Sequence, residues 1–185
     1  DVPVIVQDRS FDDDGTFTES SGFLTSIGAL GDELLVNGTR DPHLDVTTER
    51  VRLRILNGSA ARVYDFGFSD GRPFALVGTD GGLLPAPVTL DQVRLSPGER
   101  AEVIVDAEPG ERVVLRSEGP EMGMGPLDRF QGGDDRLDVL ELRAAERLEP
   151  SPEVPDELAD PPAIDPDSSM ADRTFRLSDT ERING

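Results

Sequence analysis

The chain has 185 residues, of which 36% are hydrophobic, so it can bury the core of one domain of ordinary size with a further segment attached. Acidic residues outnumber basic ones by 38 to 18, and the net charge of −20 disfavours nucleic-acid and anionic membrane partners, because both repel an acidic surface. Cysteine is absent, which excludes disulfides, thiol catalysis and thiolate ligands, and neither a signal peptide nor an apolar run of about 18 residues is found, so no membrane span is predicted.

The first third of the chain predicts short strands separated by turns. Residues 2–7 form a β-branched run that predicts a strand. Residues 8–15 predict an acidic, solvated loop, and their spacing departs from that of a calcium-binding EF-hand. Residues 34–36 predict a second strand, which Asn37 and Gly38 close as a turn pair.

Residues 50–57 show a clean alternation of apolar and charged side chains. Val51, Leu53 and Ile55 fall on one face, and arginines occupy the other. A period of two with one polar face is typical of a half-buried antiparallel strand. Residues 101–106 alternate in the same way and predict a second strand of this kind.

Two Pro-Gly pairs punctuate the second half of the chain. Pro97-Gly98 and Pro109-Gly110 each predict a type II turn, because proline presets φ at the first central position and glycine permits a positive φ at the second. About nine short strands are predicted without convincing helical periodicity, so the fold class is all-β, a sandwich or a barrel. The remaining predicted strands cover residues 63–68, 74–78, 92–95, 113–117 and 138–142.

The composition changes at residue 149. Residues 149–170 are rich in proline and acid and poor in apolar side chains, so they predict an extended linker laid over a surface. Residues 172–177 predict a new strand, and the closing Asn-Gly pair repeats the turn at residues 37–38. We therefore expect one domain at 1–148, a linker at 149–170, and the first strand of a following, truncated domain at 171–185.

Several motifs of the chain resemble, in their order, those of the middle domain of bacterial three-domain multicopper oxidases. That group includes laccase-like, spore-coat and copper-efflux oxidases, and the resemblance covers about residues 1–145. The matching motifs are VPVIVQDRSF at 2–11, LLVNGT at 34–39, VRLRILNGS at 51–59, GTDGGLL at 78–84 and LSPGERAEVIVD at 95–106.

The resemblance implies a cupredoxin-like Greek-key β-sandwich. It also implies a parent protein that oxidises phenols or metal ions and reduces dioxygen to water, with its copper held in the first and third domains. The partners implied are the flanking cupredoxin domains of the same protein, and the compartment implied is periplasmic, secreted or cell-surface. Nucleic-acid and membrane partners are not expected, and the resemblance does not assign an oligomeric state.

The chain lacks the donors that such copper sites require. A blue-copper centre needs two imidazoles and a thiolate, whereas this sequence has one histidine, His43, and no cysteine. A zinc site would lack histidine and cysteine ligands in the same way, and a nucleophilic triad would have to use His43. No GxSxG element is present. We expect His43 to be a surface or loop-packing residue in the loop of residues 40–44, with no catalytic or cofactor-binding residue in this segment.

Met122 and Met124 are weak candidates for binding Cu(I). Thioethers are soft ligands that suit this ion, and a methionine pair in a glycine-rich segment could pass copper towards a site elsewhere. The alternative is that two flexible methionines pack the loop. Without a third soft ligand the pair is a poor metal site.

Three hypotheses for function remain open at this point. The segment is a copper-free, non-catalytic middle domain of an oxidase, and it positions the copper-bearing domains. Alternatively, it belongs to a copperless relative that serves as a scaffold, for example in bacterial cell division. The third hypothesis is an independent β-sandwich binding module.

Overall fold

The computed structural model describes residues 1–18, 30–123, 125, 128, 132–160, 174–178 and 182–183. Within these ranges there is no α-helix, and hence no helix long and apolar enough to cross a membrane. Eleven strands form the body, and two short ones, β12 (Leu177–Ser178) and β13 (Arg182–Ile183), pair with each other. The eleven are β1 (Val2–Arg9), β2 (Glu33–Val36), β3 (His43–Thr48), β4 (Arg50–Asn57), β5 (Tyr64–Phe68), β6 (Phe74–Thr79), β7 (Gly82–Leu90), β8 (Gln92–Leu95), β9 (Arg100–Asp106), β10 (Arg112–Glu118) and β11 (Leu137–Glu149).

The strands are divided between two sheets. The first sheet has the order β2-β1-β4-β9-β6-β7, and the second has the order β3-β11-β10-β5-β8. Two pairs are parallel, β1 with β4 and β3 with β11, while the other pairs are antiparallel. The chain passes repeatedly from one sheet to the other, so each sheet covers the apolar face of its partner. The all-β sandwich predicted from the sequence is confirmed.

The core lies between the sheets and follows the predicted alternation. Val51, Leu53 and Ile55 of β4 are 7%, 0% and 1% exposed, while the arginines between them point outward. Strand β9 repeats this pattern with Ala101 and two valines. Burying each large apolar side chain contributes about 1.5–3 kcal/mol, and these strands together anchor the centre of the first sheet.

The predicted turns are also confirmed. Asn37 and Gly38 both have positive φ values, 51° and 78°, as a tight hairpin turn with an Asn-Gly pair requires. The side chain of Asn37 fastens this turn to β1, since its Oδ1 accepts from the N–H of Ile5 at 2.9 Å. Gly98 and Gly110, at φ values of 87° and 74°, have the positive φ expected after each proline.

Strands β3 and β7 were not predicted from the sequence, and His43 lies in a strand and not in the expected loop. His43 is the first residue of β3, an edge strand that was missed because it follows the turn signal Asp41-Pro42 and has only two apolar residues. Strand β7 was missed because Pro85 and Pro87 interrupt it, and the sheet tolerates them because β7 lies at the edge and its pairing with β6 is irregular there. Strand β11 is also longer than the predicted 138–142, and it extends to Glu149.

Candidate functional site

The single histidine lies on the surface. The side chain of His43 is 45% exposed, and its Nε2 is 4.0 Å from Oδ1 of Asp45 on the same strand. Strand β3 pairs in parallel with β11, and this pairing places His43 opposite Glu141. One imidazole beside one carboxylate at this distance does not form a catalytic pair or a metal site.

The methionine pair is only partly described. Met122 is 38% exposed, and its main-chain N–H donates to Oδ2 of Asp128 at 3.2 Å. Met124 lies outside the described residues. The pair therefore stays a prediction.

The donor set of this chain does not fit copper. Among the described residues, no group of three or more histidine, aspartate or glutamate side chains is arranged to hold a metal ion. The whole sequence supplies one imidazole and no thiolate, whereas a blue-copper site needs two imidazoles and a thiolate. No redox step is derived for these residues.

A buried polar network centred on Arg62 is the most developed cluster of charged groups in the described part of the chain. The guanidinium donates to Oδ2 of Asp8 at 2.7 Å through Nε, to Asp135 through Nη1, and to the carbonyl of Gly31 at 2.9 Å through Nη2. Arg62 and Asp8 are 6% and 4% exposed. Burial alone would lower the pKa of Arg62, but hydrogen bonds to Asp135 and Asp8 raise it, so the group stays charged.

Gly31 completes the network by a close approach of two backbone segments. Its N–H donates to the same Oδ2 of Asp8 at 2.7 Å. A Cβ at this position would come within 2.3 Å of the main-chain nitrogen of Arg9, so only glycine fits. The network thus ties the segment before β2 to the end of β1.

A hydroxyl pair continues the network inward. The N–H of Asp8 donates to Oγ of Ser59 at 3.0 Å, and this oxygen lies 2.8 Å from the hydroxyl of Tyr64. Burial raises the pKa of Tyr64 above its ordinary value, and the hydrogen bond with Ser59 offsets only part of that rise. Tyr64 is therefore neutral at physiological pH and cannot act as a base there. Asn57 supports the pair, since its Oδ1 accepts from the N–H of Ser59 at 3.0 Å.

This network holds structure together and offers no reaction site. Tyr64 and Asn57 are both 0% exposed, so the hydroxyl pair is closed to a substrate. One atom of the network, Oδ1 of Asp8, is buried and has no hydrogen-bond partner among the described residues. The network was not predicted from the sequence: Asn57 was interpreted only as the end of the strand at 50–57, and Asp8 as part of a solvated loop, although it lies in β1.

A second ion cluster joins two turns at the opposite end of the sandwich. Arg72 donates to both carboxylate oxygens of Glu111, with Nη1 2.8 Å from Oε1, and its Nε donates to Asp70 at 2.8 Å. These contacts, led by the hydrogen bond to Glu111, raise the pKa of Arg72, and they lower the pKa of Glu111. The bidentate geometry fixes the turn before β6 against the turn before β10.

The surface hollows of the described residues are open and mixed in chemistry. One of about 450 Å³ is lined by acids, arginines and a few apolar side chains at the end of β9 and β11, and it contains no histidine. The geometry of this chain is that of a closed sandwich stabilised by buried and surface ion pairs.

Comparison with known proteins places the chain in a family. The family model described as multicopper oxidase matches residues 12–116, which is more than half of the sequence. Among curated proteins, the cell division protein FtsP of Edwardsiella tarda is 45% identical over 135 residues, covering 71% of this chain and 27% of that protein. The FtsP of Escherichia coli is 37% identical over 193 residues, covering all of this chain and 40% of that protein. The chain thus spans well under half the length of these relatives.

Solved structures agree on the fold. A laccase-like multi-copper oxidase, CueO, from the lignin-degrading bacterium Ochrobactrum sp. superposes with a TM-score of 0.80 at 31% identity, over 97% of this chain and 40% of that chain. A variant of the multicopper oxidase McoA from Aquifex aeolicus gives a TM-score of 0.77 at 31% identity, over 90% of this chain and 36% of that chain. The cupredoxin-like Greek-key sandwich implied by the resemblance is confirmed, and the chain belongs to the multicopper oxidase family.

Proposed function

We propose that this chain is a copper-free structural domain that holds neighbouring cupredoxin domains in register within a longer protein. The observation that carries the proposal is the donor set: one exposed histidine, no cysteine, and no group of metal-ligating side chains among the described residues. A domain of this family without such donors contributes by its shape and its surfaces. The domain itself spans 1–148, residues 149–170 form an interdomain linker, and residues 171–185 begin a further cupredoxin-like domain.

Strand β7 supports a role in domain contact. None of its nine residues is charged, although charged residues make up 30% of the chain. Leu83 and Val88 are each 46% exposed at this edge of the first sheet. An uncharged, exposed strand on a highly acidic protein is a surface that a neighbouring apolar domain would cover.

The longer protein is best explained as a copperless scaffold related to cell division. The curated relatives at 45% and 37% identity both bear the name cell division protein FtsP, whereas the solved oxidases share 31%. From the family resemblance we also propose that the protein is periplasmic, secreted or located at the cell surface. The second candidate is a laccase-like oxidase that oxidises phenols or metal ions with copper in its other domains, and the structural similarity to CueO favours it.

The experiment that separates the two candidates uses the longer protein that contains this chain. Bound copper is measured by plasma mass spectrometry after growth in copper, phenol oxidation is assayed, and a fluorescent fusion is imaged in dividing cells. We expect no stoichiometric copper, no oxidase activity and a signal concentrated at the division site. Stoichiometric copper with phenol oxidation and a diffuse signal would establish the oxidase instead.

A further inference from the structure

We propose that the first part of the linker, residues 150–158, here called the strap, is fixed to the outer face of the first sheet, and that Arg50 clamps the strap and so fixes the direction in which the chain leaves the domain. The strap comes directly after β11 and contains neither helix nor strand. It is nonetheless bonded to the first sheet at both of its ends. The inference concerns this chain alone and does not depend on the proposed function.

The first anchor is at the start of β4. The Nη1 of Arg50 donates to the carbonyls of Ser151, at 3.2 Å, and Pro152, at 2.9 Å. The main-chain N–H of Arg50 donates to Oγ of Ser151 at 3.1 Å, and the N–H of Ser151 donates to Oε2 of Glu49 at 3.1 Å. Asp106 accepts from Nε of Arg50 at 2.8 Å and thereby orients the guanidinium.

The second anchor is on β7. The N–H of Leu158 donates to the carbonyl of Pro85 at 2.8 Å. Strands β4 and β7 are three places apart in the first sheet, a distance of about 14 Å at the usual strand spacing. The seven residue steps from Ser151 to Leu158 reach about 20 Å when extended, so the strap crosses the outer face of β9 and β6 between its two anchors.

The strap covers an apolar stripe on that outer face. Val77 is 2% exposed, yet it alternates with the inward-facing Leu76 and does not belong to the core between the sheets. Val154 of the strap borders the same shallow hollow as Ala75 and Ile104, which point outward. The strap excludes water from this stripe. The burial of apolar surface beneath it therefore adds to the stabilisation that its two hydrogen-bonded anchors provide.

The composition of the strap explains why an arginine is needed. The strap, residues 150–158, carries three acidic side chains and no basic one, on a chain whose net charge is −20. Without a cation at the contact, such a segment would be repelled by the surface it crosses. Three prolines limit the conformations of the free strap, so the entropic cost of laying it down is small.

The test compares two variants of the 185-residue chain. Arg50→Ala removes the clamp, and Arg54→Ala is the matched control, since Arg54 lies on the same strand, is 59% exposed, and among the described residues pairs only with Glu102. Cleavage by a glutamate-specific protease after Glu153 and Glu157 is followed by mass spectrometry. We expect Arg50→Ala to speed cleavage in the strap about tenfold, the factor that one lost charge-assisted hydrogen bond of about 1.4 kcal/mol gives, and Arg54→Ala to leave it unchanged.

A second measurement keeps the test independent of any effect of Arg50 on folding. The chain has no cysteine, so cysteines introduced at the exposed positions Thr47 and Asp160 can carry spin labels without interference. We expect one narrow distance distribution in the native chain and a broad one after Ser151→Ala combined with Arg50→Lys. A broad distribution in the native chain, or equal cleavage of the native strap and a free peptide of its sequence, would overturn the proposal. So would equal effects of the Arg50 and Arg54 variants on cleavage.

Discussion

Arg62 shows that a charged side chain can be buried when hydrogen-bond acceptors and opposite charges surround it. Arg62 is 6% exposed, and all three of its donating nitrogens are used, two of them on carboxylates. A buried ion pair adds little net stability by itself, because desolvation offsets the attraction. Removing one partner is costly, however, because the other charge is then buried alone. Here that charge would be Asp8, whose Oδ1 already lacks a hydrogen-bond partner in the described part of the chain.

We therefore expect Arg62→Ala to lower the free energy of unfolding by about 3–5 kcal/mol. Arg112→Ala serves as the control and should cost less than about 1 kcal/mol, because Arg112 is 68% exposed and its contact with Glu141 is 3.4 Å long. The double variant Asp8→Asn with Arg62→Met should cost less than Arg62→Ala alone, since it leaves no buried unpaired charge: the remaining carboxylate, Asp135, is 43% exposed and stays solvated. Urea unfolding measures all three, and a loss for Arg62→Ala no larger than that of Arg112→Ala would contradict the argument.

At the scale of elements, the sequence predicts the strands whose two faces differ. Strand β4 was predicted because buried valine, leucine and isoleucine alternate with arginine. Strand β3 was not predicted because it follows the turn signal Asp41-Pro42 and only two of its six residues, Leu44 and Val46, are apolar. Strand β7 was not predicted because prolines are rare in strands. Its prolines are accommodated because the strand lies at the edge of the sheet.

The prolines of β7 protect the edge on which they lie. The carbonyl of Pro85 accepts from the strap, so this side of the strand faces away from β6, and Pro87, two residues on, shares that side. Proline has no N–H there to offer to another chain. We expect Pro87→Val to increase concentration-dependent self-association in sedimentation velocity, while Ala86→Val, which adds a similar apolar side chain without a new donor, leaves the association state of the chain unchanged. Equal association of both variants would show that hydrophobicity, not the new donor, is responsible.

At the scale of the molecule, the sequence predicts the fold class and the family but not the buried network. Arg62 lies 54 positions from Asp8 and 73 from Asp135, so no local pattern links them. Each of the three is an ordinary surface residue by type, and only the topology buries two of them. The core could be predicted because its pattern repeats every two residues, whereas a network assembled from separate loops has no period.

The charge of the whole molecule leads to a final prediction about salt. The net charge is −20, and most described arginines already pair with carboxylates, so the remaining acids repel one another. Raising the ionic strength from about 0.01 M to about 0.15 M shortens the screening length from about 30 Å to about 8 Å. Screening weakens this long-range repulsion more than it weakens the short, partly buried ion pairs.

Sodium chloride should therefore raise the melting temperature over this range by about 2–4 °C, equivalent to about 1 kcal/mol for a chain of this size. Replacing Asp13, Asp91 and Glu121, all exposed, by their amides removes three negative charges and changes −20 to −17. This variant should melt at a higher temperature at low salt and respond less to added salt. A melting temperature that falls as salt is added would mean that the surface ion pairs outweigh the net repulsion, and the acidic surface would then be a stabilising feature.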